Sequence, residues 1–248
     1  MQKAPTTIHG ITYKRRPANE ADVFVRVLSP EYGLFTMSVK GAKRPKSKLN
    51  SSVLNFSHGE YAVVINQNGI STLRSASKIQ QFEQLFTDLK LNAYASYFLD
   101  LADHVAVDYE VVPGLYELIL QALTLLNQQQ DSEIVLALVK TRMLTYFGVA
   151  PELRQCVICG EQHPTFDYSI ELGGIVGTEH FAPSALHVSP KAVALLRTLG
   201  LMPLAQLGTI KISPHLSQQV LQLLTRIYQA TLDLNLKTEK FLQDFSKL

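Results

Sequence analysis

A chain of 248 residues, 46% hydrophobic and 18% charged, has ample apolar content for a packed core, which excludes a disordered or fibrous protein. No apolar run reaches the roughly 18 residues that span a bilayer, no apolar segment follows Met1–Thr7 as in a secretory leader, and two cysteines cannot build a disulfide framework, so the expectation is a cytoplasmic protein without membrane association. The net charge of +2 hides a segregation: residues 1–80 carry 12 Lys+Arg against 4 Asp+Glu, net +8, leaving 11 against 17, net −6, for residues 81–248.

The first 80 residues read as β. Ile8 to Arg15 is a strand candidate. Val23, Val25 and Val27 then alternate with Phe24, Arg26 and Leu28, the two-residue period of a strand. Ser29-Pro30-Glu31-Tyr32-Gly33 is a turn, with Pro presetting φ and Gly free to take positive φ, and Leu34 to Val39 returns as the hairpin partner. Glu60 to Asn66 and Ile70 to Ala76 form a second hairpin around Asn68-Gly69, a strong short turn signal. Five short strands in this length predict a small closed barrel of the oligonucleotide-binding (OB) type.

After Ser77 the period becomes helical. Phe82, Leu85, Phe86 and Leu89, then Tyr94, Tyr97, Phe98 and Leu101, fall on one face. Pro113 opens a helix through Leu125. Ser132 is a candidate N-cap for a helix from Ile134 to Phe147, which Gly148 and Pro151 end. Ser189-Pro190 and Pro214 start two more. The wide apolar stripes predict packing into one bundle. The fold expected is α+β: an OB barrel over residues 1–80, then an all-α domain over 81–248 carrying a small zinc-ribbon-like insert over 152–185.

Two basic clusters lie in the β region: Lys14-Arg15-Arg16, and Lys40, Lys43, Arg44, Lys46 and Lys48, five positive charges in nine residues. Cations on a loop can displace the counterions condensed on a nucleic acid, so DNA-phosphate contacts are expected from Lys14, Arg15, Arg16, Arg26, Lys40, Lys43, Arg44, Lys46 and Lys48. Such contacts carry no base information. Tyr13, Phe24 and Phe35 are candidate stacking surfaces, half or more of them expected in the core. The same charge also suits an interaction adaptor whose basic barrel meets an acidic protein.

Cys156-Val157-Ile158-Cys159-Gly160 is the most specific local motif, since two thiolates at this spacing hold one edge of a tetrahedral zinc. A ribbon's second half would place ligands at 177 and 180. His180 can bind zinc and Gly177 cannot. Three readings stand: a ribbon that keeps its shape without metal, which is preferred, so that no metal and no cofactor are expected; a zinc site of Cys156, Cys159, His180 and a fourth group such as His163 or Glu179; and a redox dithiol, for which a preceding strand and a helix N-terminus are missing.

Enzymatic motifs are missing. Gly173-Gly174 lacks the Lys-Ser/Thr of a phosphate-binding loop, and neither HExxH nor Gly-x-Ser-x-Gly occurs. His58, His104, His187 and His215 are scattered. Asp100, Asp103, Asp108 and Glu110 read as an acidic solvated face. No catalytic residue is expected.

The order of these features is similar to the RecO family of bacterial recombination mediators and DNA-annealing proteins. Gly10-Ile11-Thr12-Tyr13-Lys14 with Ala21-Asp22, Ser29-Pro30-Glu31-Tyr32-Gly33-Leu34 with Val39-Lys40-Gly41-Ala42-Lys43-Arg44, Leu144-Thr145-Tyr146-Phe147-Gly148-Val149-Ala150-Pro151 before Cys156, and Leu236-Lys237-Thr238-Glu239-Lys240-Phe241-Leu242 resemble successive stretches of that family. Where the family has four Cys, or three and a final His, Gly177 stands at the third position here. The resemblance implies a non-enzymatic role in DNA repair and homologous recombination by the RecF pathway. It implies binding to single- and double-stranded DNA, annealing of complementary strands, help in loading recombinase on coated DNA, and a nucleoid-associated location. It also implies two partners, single-stranded DNA-binding protein (SSB) through its acidic C-terminal tail, and RecR. Arg142, Lys191 and Arg197 are candidates for the tail.

Overall fold

The computed structural model describes residues 4–162, 165–180, 188–204, 206 and 212–245. The chain forms two compact units, the first running to Gln128 and the second from Gln129 to Gln243.

The first unit begins with five strands: β1 (Thr6–Pro17), β2 (Val23–Ser29), β3 (Gly33–Val39), β4 (His58–Val64) and β5 (Ser71–Gln80). They close in the order β1-β2-β3-β5-β4, with β4 returning to β1. All pairings are antiparallel except the short parallel contact of β3 with β5. This is the OB-type closed barrel that the strand spacing predicts.

Alternation explains the core. On β2, Val23, Val25 and Val27 point inward beside Phe35, Met37 and Val39 of β3, and Ile8, Tyr61, Val63 and Leu73 complete the interior. Opposed pairs Val25↔Met37 and Val27↔Phe35 fix the register, because a one-residue slip would turn the valines to solvent. The β2–β3 turn needs Gly33, which sits at φ +64. A β-carbon there would stand 2.0 Å from the Glu110 carbonyl oxygen. Between β3 and β4 runs the basic loop, then the five-residue helix α1 (Lys48–Ser52).

Three helices complete this unit: α2 (Gln84–Thr87), α3 (Leu89–Val105) and α4 (Leu115–Asn127). The helical stretch predicted across Leu89 is broken at Asp88, whose extended backbone ends α2. Its carboxylate caps α3 by accepting from the Lys90 and Leu91 N–H groups.

The second unit contains α5 (Ser132–Tyr146), the hairpin β6 (Phe166–Ser169) and β7 (Gly174–Gly177), then α6 (Pro190–Leu201), α7 (Pro214–Thr231) and α8 (Lys237–Phe245). Asp131, not Ser132, is the N-cap of α5. Its carboxylate accepts from Glu133 and Ile134 N–H, and a carboxylate outdoes a hydroxyl at the positive end of the helix. Helices α5, α6 and α7 pack on one another through Leu138, Val139, Leu196, Leu199, Val220 and Leu224, all buried. The helices therefore sort into two groups, α2–α4 in the barrel's unit and α5–α8 in the second, instead of the single bundle expected.

The cysteine turn docks on the β6–β7 hairpin by backbone bonds: Glu152 N–H to Gly173 O, Ile175 N–H to Glu152 O, and Val157 N–H to Ile175 O, at 2.9–3.0 Å. Gly174 permits this approach, since a β-carbon there would lie 2.6 Å from Val157 Cγ1. No helix among the described residues is long and apolar enough to cross a membrane.

Candidate nucleic-acid interface

The loop after β3 presents Lys40, Lys43, Arg44, Lys46 and Lys48, all exposed. It is held in place from below. Gly41, at φ +67, donates its N–H to Asp22 Oδ1 at 2.7 Å. Lys43 N–H reaches the Ala21 carbonyl at 2.9 Å, and Lys43 Nζ donates to the Asn19 carbonyl at 2.7 Å. The Gly41 N–H, the Asn19 amide and the nearby Lys40 and Arg44 charges hold the Asp22 carboxyl below its usual range. Ala42 anchors the loop in the barrel core. Among the described residues none of the five cations is in an ion pair, so the loop is a fixed frame carrying cations open to solvent.

The β1 cluster is built differently. A bulge between Tyr13 and Arg16, with Lys14 at φ +48, spreads its three cations. Lys14 Nζ donates to Asp100 Oδ1 at 2.8 Å and Asp103 Oδ2 at 2.5 Å. Arg15 reaches the Asn50 side chain at 2.6 Å. The Arg16 guanidinium lies over the Phe24 ring at 5.6 Å. Arg26 on β2 donates through Nε to Asp103 at 2.9 Å and through its terminal nitrogens to Asp108 at 2.5–2.7 Å.

Asp100 and Asp103 are therefore not a solvated acidic face. Their side chains are 12% exposed and bind barrel cations. Tyr13 O–H also donates to Asp103 at 2.7 Å. Burial alone would raise the Asp103 carboxyl, but Lys14, Tyr13 and Arg26 outweigh it and hold it below the usual range. Burial likewise works against Lys14, and its two carboxylate partners still raise it. Lys14 and Arg26, both expected on phosphate, are thus already engaged within the barrel's own unit. Lys14, Arg16, Phe24, Val25, Arg26 and Thr36 line a concavity of about 280 Å³.

Of the stacking candidates, Tyr13 and Phe35 are core, at 2% and 0% exposed, and Phe35 stacks on Tyr109 at 5.4 Å. Phe24 is half-buried. His58 stacks on Phe82 at 5.0 Å and burial lowers its pKa. His104 bonds the Asp100 carbonyl and His215 the Gln219 amide. His163 and His187 lie outside the described residues.

In the second unit, Arg142 donates to the Leu199 carbonyl at 2.8 Å and to the Met202 carbonyl, satisfying the C-terminal end of α6. Arg197 donates to the Leu153 carbonyl at 2.8 Å and lies over Phe166 at 4.7 Å. Both serve the fold of this unit, and Lys191 is exposed. The structure brings Cys156, Cys159 and His180 together, one donor atom from each lying within 4.8 Å of the others. These are thiol and imidazole donors, the set zinc prefers. At the third position of the family's pattern, the Gly177 N–H donates to Cys156 Sγ at 3.3 Å. The sequence identifies the cysteines and the histidine, but not this backbone bond.

Comparison with known families matches both parts of the chain. Residues 1–82 match the family described as Recombination protein O N terminal, and residues 86–240 match Recombination protein O C terminal. The DNA repair protein RecO of Lactobacillus acidophilus is 45% identical over 239 residues, covering 96% of each chain. That of Lactobacillus helveticus is 44% identical with the same coverage, and that of Lactiplantibacillus plantarum is 34% identical over 96% of this chain and 93% of its own. A closed barrel that carries an exposed basic loop, a helical second unit with a cysteine turn, and agreement along nearly the whole length lead to one conclusion: the chain belongs to the RecO family of DNA repair proteins.

Proposed function

We propose that the protein acts without catalysis, by binding single- and double-stranded DNA through the barrel and annealing complementary strands. The observation that carries this reading is the basic loop: five exposed cations on a pinned backbone, none in an ion pair among the described residues. Opposed strands repel through their phosphates, and a surface that neutralises both lets pairing energy act. Lys40, Lys43, Arg44, Lys46 and Lys48 supply the principal contacts. Arg15 and Arg16 flank them. Lys14 and Arg26 contribute less, because their charge is already spent on Asp100, Asp103 and Asp108.

In the cell the substrate is DNA coated with SSB, and family membership supports a place in RecF-pathway recombination, at the nucleoid, with SSB and RecR as partners. The SSB tail is acidic, so its site needs exposed cations. Arg142 and Arg197 are occupied within their own unit, which leaves Lys191 of the three candidates.

The deciding experiment is annealing of complementary oligonucleotides, each coated with SSB. Annealing that weakens when the loop cations are replaced supports the reading. Annealing and low-salt oligonucleotide binding that are unchanged in the loop variant overturn the loop's role, and a natural chain that binds no oligonucleotide at low salt overturns the reading and favours an adaptor that meets an acidic protein.

A further inference from the structure

DNA binding leaves one arrangement unused: two barrel cations are spent on the chain's own acids. Asp100 and Asp103 lie on α3 and Asp108 follows it, all within the first unit. The single carboxylate of Asp103 accepts from Lys14 Nζ at 2.5 Å, Arg26 Nε at 2.9 Å and the Tyr13 hydroxyl at 2.7 Å. Asp100 takes Lys14 Nζ again at 2.8 Å, and Asp108 takes the terminal nitrogens of Arg26 at 2.5–2.7 Å. Ammonium and guanidinium donors match the oxygens of carboxylate and phosphate alike. The acids therefore fill the donors that a nucleic-acid phosphate would use.

The same two cations line the concavity of about 280 Å³ together with Arg16, Phe24, Val25 and Thr36. That lining has three cations and no acid among the described residues. It lies on the outer face of β2 and β3. Phe24 and Arg26 alternate with the buried Val23, Val25 and Val27, and they oppose Ser38 and Thr36 of β3. β3 leads straight into the basic loop. Thr36 stands four positions before Lys40, roughly 14 Å of extended chain, which equals about four nucleotide rises of 3.4 Å. A DNA strand gripped by the loop reaches the concavity within a few nucleotides, and there it meets Lys14 and Arg26 with their donors already occupied. We propose that Asp100, Asp103 and Asp108 act as a built-in phosphate mimic, which holds Lys14 and Arg26, keeps DNA phosphates off this face of the barrel and confines close contact to the basic loop. This inference rests on the proposed binding of DNA by the barrel and adds an internal restraint on it.

The test measures single-strand oligonucleotide binding by the full-length protein over a salt series. In the double variant Asp100→Asn with Asp103→Asn, Lys14 loses both carboxylates, while an amide oxygen at position 103 can still accept from the Tyr13 hydroxyl. The expected result is tighter binding at low salt and a log–log salt slope steeper by about 0.7 for each cation released to a phosphate. Adding Lys14→Ala to the double variant is expected to take about 0.7 of that slope away again, whereas Lys14→Ala in the natural chain changes the slope by less. Asp108→Asn replaces a side chain that is 50% exposed and frees the terminal nitrogens of Arg26. It is expected to steepen the slope in the same direction, and it answers the question through Arg26 if the double variant fails to fold. Glu117→Gln, at an exposed acid in the first turn of α4, is the control for net charge. An unchanged slope in the Asp variants, an equal rise in Glu117→Gln, or a rise that survives Lys14→Ala overturns the mimic. A natural chain that binds through its loop while the Asp variants gain nothing refutes this inference alone. A natural chain that binds no oligonucleotide at low salt refutes the DNA reading and the mimic with it.

Discussion

Replacing Asp103 by alanine removes the carboxylate on which Tyr13, Lys14 and Arg26 converge. The Tyr13 hydroxyl loses a charged acceptor in a buried setting, a loss of about 1.5–3 kcal/mol. Arg26 keeps Asp108 and Lys14 keeps Asp100, and with Lys14 half exposed the two together lose about 1 kcal/mol. The expected destabilisation is about 3 kcal/mol, the low end for removing one partner of a buried ion pair. The chain has no tryptophan, so far-UV circular dichroism follows the urea transition. With a slope of about 2 kcal/mol per molar urea the midpoint of the barrel's unit falls by roughly 1.5 M. Asp108→Ala is the internal control: its side chain is 50% exposed, and its loss should cost about 1 kcal/mol or less. Equal midpoints for the two variants would refute the view that Asp103 is the centre of the network.

The other predictions bear on pH, DNA and the turn. Because the folded Asp103 pKa is depressed, its contribution is fully present above the ordinary carboxylate pKa and is lost as pH falls through the folded value, so Asp103→Ala flattens the acid limb of stability below about pH 5; an unchanged limb counts against the assignment. Lys14 is raised, so its contribution is present below its ordinary pKa and lost at the alkaline end as pH rises through the folded value; Lys14→Ala removes that alkaline loss in a pH–urea series. Replacing Lys43, Arg44 and Lys46 together by alanine should lower the log–log salt slope of single-strand binding by about 2, at roughly 0.7 per phosphate contact, whereas Lys14→Ala should change it by less than one contact; filter binding over a salt series reads both. Gly33→Ala combines positive φ with a β-carbon 2.0 Å from Glu110 O and should destabilise by roughly 2 kcal/mol or more, read by thermal denaturation.

The barrel was legible because its signals are local. Alternation at Val23, Val25 and Val27, a Pro–Gly turn and a basic loop each occupy fewer than about ten residues, and local signals survive in a sequence. The break at Asp88 was missed because apolar spacing continues across it, and the N-cap at Asp131 because Ser132 beside it is also a capping residue type; in both, only the side-chain oxygen's choice of N–H donors marks the boundary. The Asp100–Asp103 pair lay outside local reading altogether. Two carboxylates three apart on a helix look like a solvated face until a bulged strand nearly 90 positions earlier supplies Lys14. At the cysteine turn, spacing singled out Cys156, Cys159 and His180, but the group that meets Cys156 Sγ from position 177 is a backbone N–H, which every residue except proline carries and no sequence motif can display.

This difference changes what the segregated charge means. A net +8 in the first 80 residues suggests a barrel basic on all sides, yet folding consumes part of it: Lys14 and Arg26 are matched by acids of the segment 100–108, and Lys78 by Glu60 at 2.6 Å. Cations already paired with carboxylates neutralise phosphate poorly and release few of the counterions condensed on a nucleic acid, so they add little to the salt-dependent part of binding. The positive field is therefore concentrated on the loop between Lys40 and Lys48, where the backbone is pinned and the side chains are exposed. In the proposed function, a concentrated field on one loop would grip a flexible single strand without enclosing it, leaving the base edges free to find a complement. That is the physical requirement of annealing, and a uniformly basic barrel would meet it less well, because wrapping the strand would compete with pairing.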